Sequence, residues 1–219
     1  MIFRPFHEYS YPFTTSSIWF FYGFIWLGIN SLMTTLSDQI NSDFWANVEK
    51  FKEQHYQWML THKDLATHAV TLTFDPTKIQ SFLDKNKMDM KLNHPYLVKK
   101  YKLEMKYFGR LLSRSLFGKS AERYGERLLL IPCLEGMEEG KIPHYHCTIG
   151  VDASRMEVAT SKILKSWMQT RFCGHHNEVT LYRDEGWLGY NTKRCMFPKK
   201  EVIDWENVLL PSSSQSILG

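Results

Sequence analysis

The spacing of apolar residues first predicts two amphipathic helices. Residues 42–60 carry large apolar side chains at steps of three, four and seven: Phe44, Val48, Phe51 and Trp58. Residues 94–117 carry a longer stripe of the same kind: Leu97, Tyr101, Met105, Phe108, Leu112 and Leu116. Pro95 suits the first turn of this second helix. Both apolar stripes are expected to face a hydrophobic core.

Short β-branched or apolar runs predict the strands of one sheet. They occupy residues 69–75, 128–135, 141–151 and 178–182. The turn at 136–140 would return the third of these strands antiparallel to the second. A capping box at Ser154 and Glu157 predicts a helix start there, and a last helix is expected at 185–196. The pattern predicts an α+β fold, in which a mainly antiparallel sheet of about five strands, one of them unplaced, is flanked by helices.

The composition is that of a globular protein with a mildly basic charge. The 219 residues carry a formal net charge of +4, which permits a nucleic-acid partner without requiring one. The four cysteines show no CxxC spacing. This argues against a zinc ribbon or a disulfide framework and favours a reducing, cytoplasmic setting.

Residues 1–36 differ from the rest of the chain. The run from Ile18 to Ile29 is continuously apolar but shorter than the ~20 residues of a spanning helix, and no signal-peptide cleavage site follows it. Three interpretations of this segment stay open. It anchors the chain to a membrane or a partner, it packs on the domain, or it is absent from the natural protein because translation starts at Met33. The expected segments are the apolar terminus 1–36, a helical extension 37–65, the main domain 66–198 and a partly disordered tail 199–219.

Two imidazoles near residue 145 are the strongest indication of a functional site in the sequence. His144 and His146 lie at positions i and i+2 of a strand, so they share a face while Tyr145 points to the other. Two neighbouring imidazoles can hold one divalent cation, and a carboxylate from an adjacent strand would complete the site. Glu135 and Glu138 both lie close enough in sequence. An ordinary strand beside a turn of solvated acids explains the same residues without a metal.

Three motifs in order resemble those of the HUH endonucleases. A TLTF strand ends at Phe74, the HYH strand follows at 144–146, and Tyr190 precedes Lys193 in a YxxK helix. The run from Leu134 to His146 is similar to replication initiators of small circular single-stranded DNA replicons, which act by rolling circle with one catalytic tyrosine. The motifs are short, and the resemblance covers roughly residues 66–197.

The resemblance implies a ferredoxin-like sheet with a metal site on it. His144 and His146 would bind Mg²⁺ or Mn²⁺. The third ligand in this family is often a carboxylate on the preceding strand, which favours Glu135 over Glu138 or Glu139.

The resemblance also implies a nick-and-join reaction on single-stranded DNA. Tyr190 would attack the scissile phosphate with the help of Lys193, giving a 5′-phosphotyrosyl link and a free 3′ hydroxyl. The expected partners are origin DNA and the helicase and polymerase of the host. Transposases and mobilisation relaxases share this chemistry and stay open as alternatives.

Two sets of side chains are expected to contact DNA. Thr71 and Thr73 share one face of the first strand, where the resemblance implies a polar surface that helps to place DNA. An ordinary strand with two satisfied hydroxyls is the alternative. A basic stripe on helix 94–117 offers phosphate contacts, although it is also typical of a solvated face: Lys99, Lys102, Lys106 and Arg110, continued by Arg114, Lys119, Arg123 and Arg127.

Other function classes also stay open. Gly118-Lys119-Ser120 lacks the earlier glycine of a nucleotide-binding loop, so no ATPase is predicted. A non-catalytic nucleic-acid-binding module would show aromatic stacking residues on its central strands, where this chain has mainly Thr and His. A membrane-associated interaction protein would depend on residues 18–29.

Overall fold

The structure is a computed structural model that describes residues 15–119, 128–138, 140–193 and 202–211. Side chains are described at Thr34 and from residue 37 onward. Several sequence predictions therefore lie outside the described residues. They concern Arg123 and Arg127 of the basic stripe, Glu139, the tail from 212 to 219 and the side chains of the apolar run 18–29.

The chain divides into two compact units, Met1–Asn47 and Val48–Gly219. The first unit contains the N-terminal part of helix α1, Thr15–Leu60. Phe44, expected in a core, is 39% exposed there, and its ring packs edge-on against Trp45 at 5.4 Å between centroids. Within the described part of the chain, no helix combines the length and apolarity that crossing a membrane requires.

A four-stranded antiparallel sheet forms the centre of the second unit. Its spatial order is β2-β3-β1-β4, where the strands are β1 His68–Thr73, β2 Leu129–Glu135, β3 His144–Gly150 and β4 Glu178–Leu181. The register places Thr71 opposite His146 and Glu135 opposite His144. The α+β prediction is confirmed. The prediction of about five strands is wrong, because the described residues form four.

An irregular segment occupies the edge of the sheet beside β2. The amide of Leu134 donates to the carbonyl of Val202 at 2.8 Å, and Leu130 and Leu209 exchange two backbone hydrogen bonds of 2.9 Å. A 3₁₀ turn at Trp205–Asn207 interrupts this pairing, so isolated bridges form instead of a fifth strand. Part of the segment 199–219, expected as a tail, therefore pairs with the sheet.

Helices cover both faces of the sheet. After α1 they are α2 Pro76–Lys85, α3 Pro95–Phe117, α4 Met156–Met168 and α5 Gly186–Thr192. The apolar stripe of α3 packs with Leu72 and Tyr145 in the larger core. Leu188 of α5 and Met59 of α1 pack with Ile131 in a smaller core on the opposite face. The second unit thus includes residues 48–65, which the sequence assigned to a separate extension.

The strand alternation decides which layer each strand residue faces. Tyr145 is fully buried in the larger core with α3. Its neighbours His144 and His146 must therefore point to the other face, on the side of α5. Thr71 and Thr73 share that face because they pair directly with the two histidines.

Two helix starts differ from the sequence predictions. Helix α2 was not predicted, although Asp75 caps it by accepting the amides of Thr77 and Lys78 at 2.9 and 3.4 Å. The capping box at Ser154 is wrong, because α4 begins at Met156 after a 3₁₀ turn. The Ser154 hydroxyl instead donates to the carboxylate of Asp152, two residues earlier in the chain, at 2.5 Å.

A buried polar network joins the sheet to its irregular edge. Asp204 is 1% exposed and accepts the Tyr145 hydroxyl at 2.9 Å and the Asn207 amide at 2.7 Å. Burial, and then the charge of Asp204, raise the pKa of Tyr145. The ammonium of Lys102 lies 3.4 Å from the same carboxylate. The network therefore balances one buried negative charge with donors from three elements.

Replacing Tyr145 with Phe should lower the free energy of unfolding by about 1–3 kcal/mol, because a buried carboxylate loses a donor. Chemical denaturation measures this loss. Tyr101→Phe is the matched control, since that buried hydroxyl donates to the neutral carbonyl of Leu92 at 2.9 Å and should cost only about 0.5–1.5 kcal/mol. If Tyr145→Phe lowered the free energy of unfolding less than Tyr101→Phe does, the hydrogen bond to Asp204 would not stabilise the fold more than an ordinary buried hydrogen bond.

His68 should make the protein less stable in mild acid. It is fully buried on β1, and burial lowers its pKa. The unfolded chain takes up this proton near pH 6.5, whereas the folded chain takes it up only at lower pH. The free energy of unfolding should therefore decrease as the pH is lowered from about 6.5. This group can contribute a decrease of at most about 1.4 kcal/mol per pH unit.

Denaturation at pH 7.5 and pH 5.5 tests this effect. His68→Met introduces an apolar side chain of similar size and removes the titrating group. The acid-induced loss of stability of this variant should therefore be smaller than that of the unchanged protein. The exchange also removes the contact of His68 Nδ1 with the Thr67 hydroxyl at 2.8 Å, so the test compares the change in stability between the two pH values and not the absolute stabilities. Equal losses for the two proteins would exclude His68 as a source of acid sensitivity.

Candidate functional site

Three potential metal ligands converge at one end of the β2–β3 hairpin. Glu135 ends β2 directly opposite His144, which begins β3, and His146 follows on the same face. One ligand atom from each residue lies within 4.8 Å of the others. A carboxylate with two imidazoles is a donor set that suits a divalent cation. Glu138 is not part of this group and lies 3.9 Å from the ammonium of Lys141.

His146 has the surroundings of a neutral ligand. It is 5% exposed, and burial together with the nearby His144 and Lys193 lowers its pKa to about 3. Its Nδ1 lies 3.0 Å from the hydroxyl of Thr71. The tautomer that donates to Thr71 leaves a lone pair on Nε2, for which the described residues offer no hydrogen-bond partner. This buried nitrogen, 4.0 Å from the Glu135 carboxylate, fits a bound cation.

The hairpin turn brings His144 into the group. The Nδ1 of His144 lies 3.0 Å from the carbonyl of Ile142. When Nδ1 carries the proton and donates it to this carbonyl, the lone pair on Nε2 is available to bind a metal. Gly136 has a φ of +76°, and a Cβ there would lie 2.2 Å from the Ile142 carbonyl oxygen. Only glycine allows this approach. His144 is less buried than His146, so the site opens on the His144 side.

Helix α5 places Tyr190 beside the ligand group. The rings of Tyr190 and His146 lie 5.0 Å apart, and Trp187 stacks on Tyr190 at 5.7 Å with an angle of 11° between the planes. Leu188 and Asn191 are fully buried and hold the helix on the sheet, where Asn191 donates to the Thr148 hydroxyl at 3.4 Å. Tyr190 itself is 45% exposed and accessible to a large substrate.

Lys193 connects the tyrosine to the ligand group. Its ammonium lies 2.9 Å from the centre of the Tyr190 ring and 3.7 Å from the Glu135 carboxylate. A cation beside a phenol lowers the cost of forming the phenolate. The same cation can also attract a phosphate group. Tyr190 and Lys193 thus lie next to the group of potential metal ligands, in an arrangement that is compatible with nucleophilic chemistry.

Thr71 and Thr73 are placed differently with respect to this group. Thr71 contacts the ring of His146, a supporting position that the sequence analysis did not assign to it. Thr73 lies opposite His144, and its amide donates to the side chain of Asn177 at 2.8 Å. A direct DNA contact by either residue remains a prediction.

Sequence reasoning missed Trp187, Asn177 and Asn191. Trp187 lies three residues before Tyr190, so the rule that groups such positions on one helix face could have found it. The two asparagines carry no comparable signal, because the threonines that they contact on the sheet, Thr73 and Thr148, lie 104 and 43 residues away in sequence.

The basic residues of α3 do not join this site. Helix α3 packs on the face that carries Tyr145, opposite to the histidines. Lys102 lies 3.4 Å from Asp204 and 3.6 Å from Glu206, so its charge is paired within the protein. The other cations of the predicted DNA-binding stripe are exposed and form no ion pair with any residue that the structure describes: Lys99, Lys106 and Arg110.

Comparisons with protein-family models, with curated proteins and with solved structures found no match for this chain. The geometry of the site and the order of its motifs along the chain are therefore the observations from which a function can be inferred.

Proposed function

We propose that the protein is a metal-dependent endonuclease and strand transferase that nicks and rejoins single-stranded DNA at a replication origin. In this proposal the sheet is the ferredoxin-like sheet of an HUH endonuclease, and the nick primes rolling-circle replication in the host cytoplasm with the host helicase and polymerase. The observation that carries it is the convergence of Glu135, His144, His146, Tyr190 and Lys193 on one face of the sheet.

Glu135, His144 and His146 would hold Mg²⁺ or Mn²⁺. A cation bound there would polarise the scissile phosphate and stabilise charge that develops on its oxygens. The neutral state of His146 and the hydroxyl of Thr71 on its other nitrogen support this assignment, because metal-binding imidazoles are usually held by such a second partner.

Tyr190 is the nucleophile in this proposal. Its oxygen forms a bond to phosphorus while the bond from phosphorus to the 3′ oxygen breaks. The phenol proton passes to solvent, and the departing 3′ oxygen takes up a proton. Lys193 stabilises the phenolate and the phosphate charge from its position over the ring. The 3′ hydroxyl of a second strand can reverse the step, so joining needs no ATP.

A cleavage assay tests the proposed function. The protein is incubated with single-stranded DNA from its own replicon and Mn²⁺, and a denaturing gel should show a covalent protein–DNA band that a chelator prevents. Mass spectrometry should locate the link at Tyr190. Cleavage without a covalent link, or a link at another residue, would refute the proposal. An adduct on transposon ends or a transfer origin alone would keep the chemistry and change its biological use to transposition or mobilisation.

A further inference from the structure

The exposed face of α3 combines cations with aromatic and apolar side chains. Tyr96, Leu103 and Tyr107 are 37%, 54% and 46% exposed. The helical period brings these side chains to the same side of the helix as its exposed cations. The members of this face are Tyr96, Lys99, Leu103, Lys106, Tyr107, Arg110 and Arg114.

Two adjoining cavities of about 390 and 650 Å³ follow this face and form one groove. Lys106, Glu206 and Asn207 line both cavities, and other cations of α3 line the remainder. Glu206 is the one acidic residue among the described lining residues, and the ammonium of Lys102 lies 3.6 Å from it. The groove is therefore strongly positive.

The walls of the groove are held by close packing. A Cβ added at Gly109 would lie 3.3 Å from side-chain atoms of both Leu130 and Leu209, so α3 lies tightly against β2 and the irregular edge segment. The side chain of Asn207 donates to the carbonyl of Lys102 at 2.9 Å and ties that segment to the helix. The groove is thus a built feature of the fold.

We propose that this groove binds a single-stranded nucleic acid, independently of the tyrosine site on the other face of the sheet. Cations on successive turns of α3 would pair with phosphates, and the exposed Tyr107, which lines the groove, would stack on a base. A duplex would satisfy the cations but offer no free base face to Tyr107. The proposal goes beyond the proposed function, because this binding needs neither a metal nor Tyr190.

The salt dependence of binding tests the phosphate contacts. The full chain is titrated with a labelled oligo-dT of about 15 nucleotides, near the upper site size for such surfaces, at several salt concentrations. The triple variant Lys99→Gln, Lys106→Gln, Arg110→Gln should reduce the slope of log K against log salt by about 2, since each lost contact removes about 0.7. The matched triple variant Lys50→Gln, Lys162→Gln, Lys165→Gln makes the same change in net charge and should keep the slope. An equal reduction in both variants, or none in the first, would overturn the proposal.

Two substitutions of one residue test the stacking. Tyr107→Ala should weaken oligo-dT binding about 5- to 100-fold, whereas Tyr107→Phe should bind like the unchanged protein because stacking does not need the hydroxyl. Unchanged binding by Tyr107→Ala would overturn the proposed stacking. Tighter binding of a duplex, or displacement of the oligonucleotide by an acidic polypeptide at a lower concentration than by unlabelled oligo-dT, would overturn the choice of ligand.

The outcome is separable from that of the proposed function. The cation variant should retain Mn²⁺ affinity and covalent adduct formation on a short origin oligonucleotide. An unchanged salt slope with an intact adduct would refute only this inference. A reduced slope in a protein that never forms an adduct would refute only the proposed function.

Discussion

Tyr190→Phe is expected to reduce the covalent protein–DNA adduct to background while leaving DNA affinity nearly unchanged. The substitution removes only the hydroxyl that would attack phosphorus. The ring remains, and with it the stacking on Trp187 at 5.7 Å and the edge contact with His146 at 5.0 Å. A denaturing gel measures the adduct, and a binding titration in the absence of metal measures affinity.

Tyr182→Phe is the control for this experiment. It removes a tyrosine hydroxyl from the neighbourhood of the same helix, but Tyr182 packs in the smaller core and no described residue bonds its hydroxyl. Its adduct yield should equal that of the unchanged protein. An adduct that persists in Tyr190→Phe and disappears in Tyr182→Phe would transfer the nucleophile to Tyr182.

His146→Ala is expected to weaken Mn²⁺ binding by at least about 100-fold. Loss of an outer partner of a metal ligand already costs 10–100-fold in many sites, and this variant would remove a proposed ligand itself. Glu135→Gln should have a comparable effect, because the amide keeps the shape of the side chain but loses its charge. Calorimetric titration with Mn²⁺ measures both changes, and DNA cleavage should be lost with them.

Two further substitutions show whether the loss is specific. Glu138→Gln should leave Mn²⁺ affinity unchanged, because Glu138 lies outside the ligand group and near Lys141. Thr71→Val removes the hydroxyl 3.0 Å from His146 and should weaken Mn²⁺ binding about 10- to 100-fold. If the double variant His144→Ala, His146→Ala bound Mn²⁺ as tightly as the unchanged protein, the two histidines would be ordinary strand residues.

The candidate site was predictable where its geometry depends on short stretches of chain. His144 and His146 share a face because strand side chains alternate. Glu135 lies opposite His144 because the connection 136–143 joins two adjacent antiparallel strands into a hairpin. Tyr190 and Lys193, the residue that follows the last turn of α5, lie on one side because positions three apart are neighbours in helical backbone. In each case the relevant distances are set by backbone geometry within one strand, one hairpin or one helix.

Local patterns failed where a nearby polar group offered a better bond. The Ser154 hydroxyl bonds to Asp152 and leaves the start of α4 without a side-chain cap. The sequence pattern indicates Asp75 only as the end of a strand, yet its carboxylate also accepts the amides that open α2. The same residue types serve turns and caps, so spacing alone does not distinguish the two uses.

The amino-acid sequence by itself determined four strands, most of the helices and the residues that these elements present together: the hairpin with its histidines, the tyrosine helix and the basic stripe of α3. Only the tertiary structure decided that α3 packs on the face opposite the histidines, that Lys102 pairs with the buried Asp204, and that the edge beside β2 is irregular. The physical reason is that contacts between distant segments follow from which apolar surfaces bury each other. Those surfaces are chosen by the packing of the whole domain and have no signature in any short stretch of sequence.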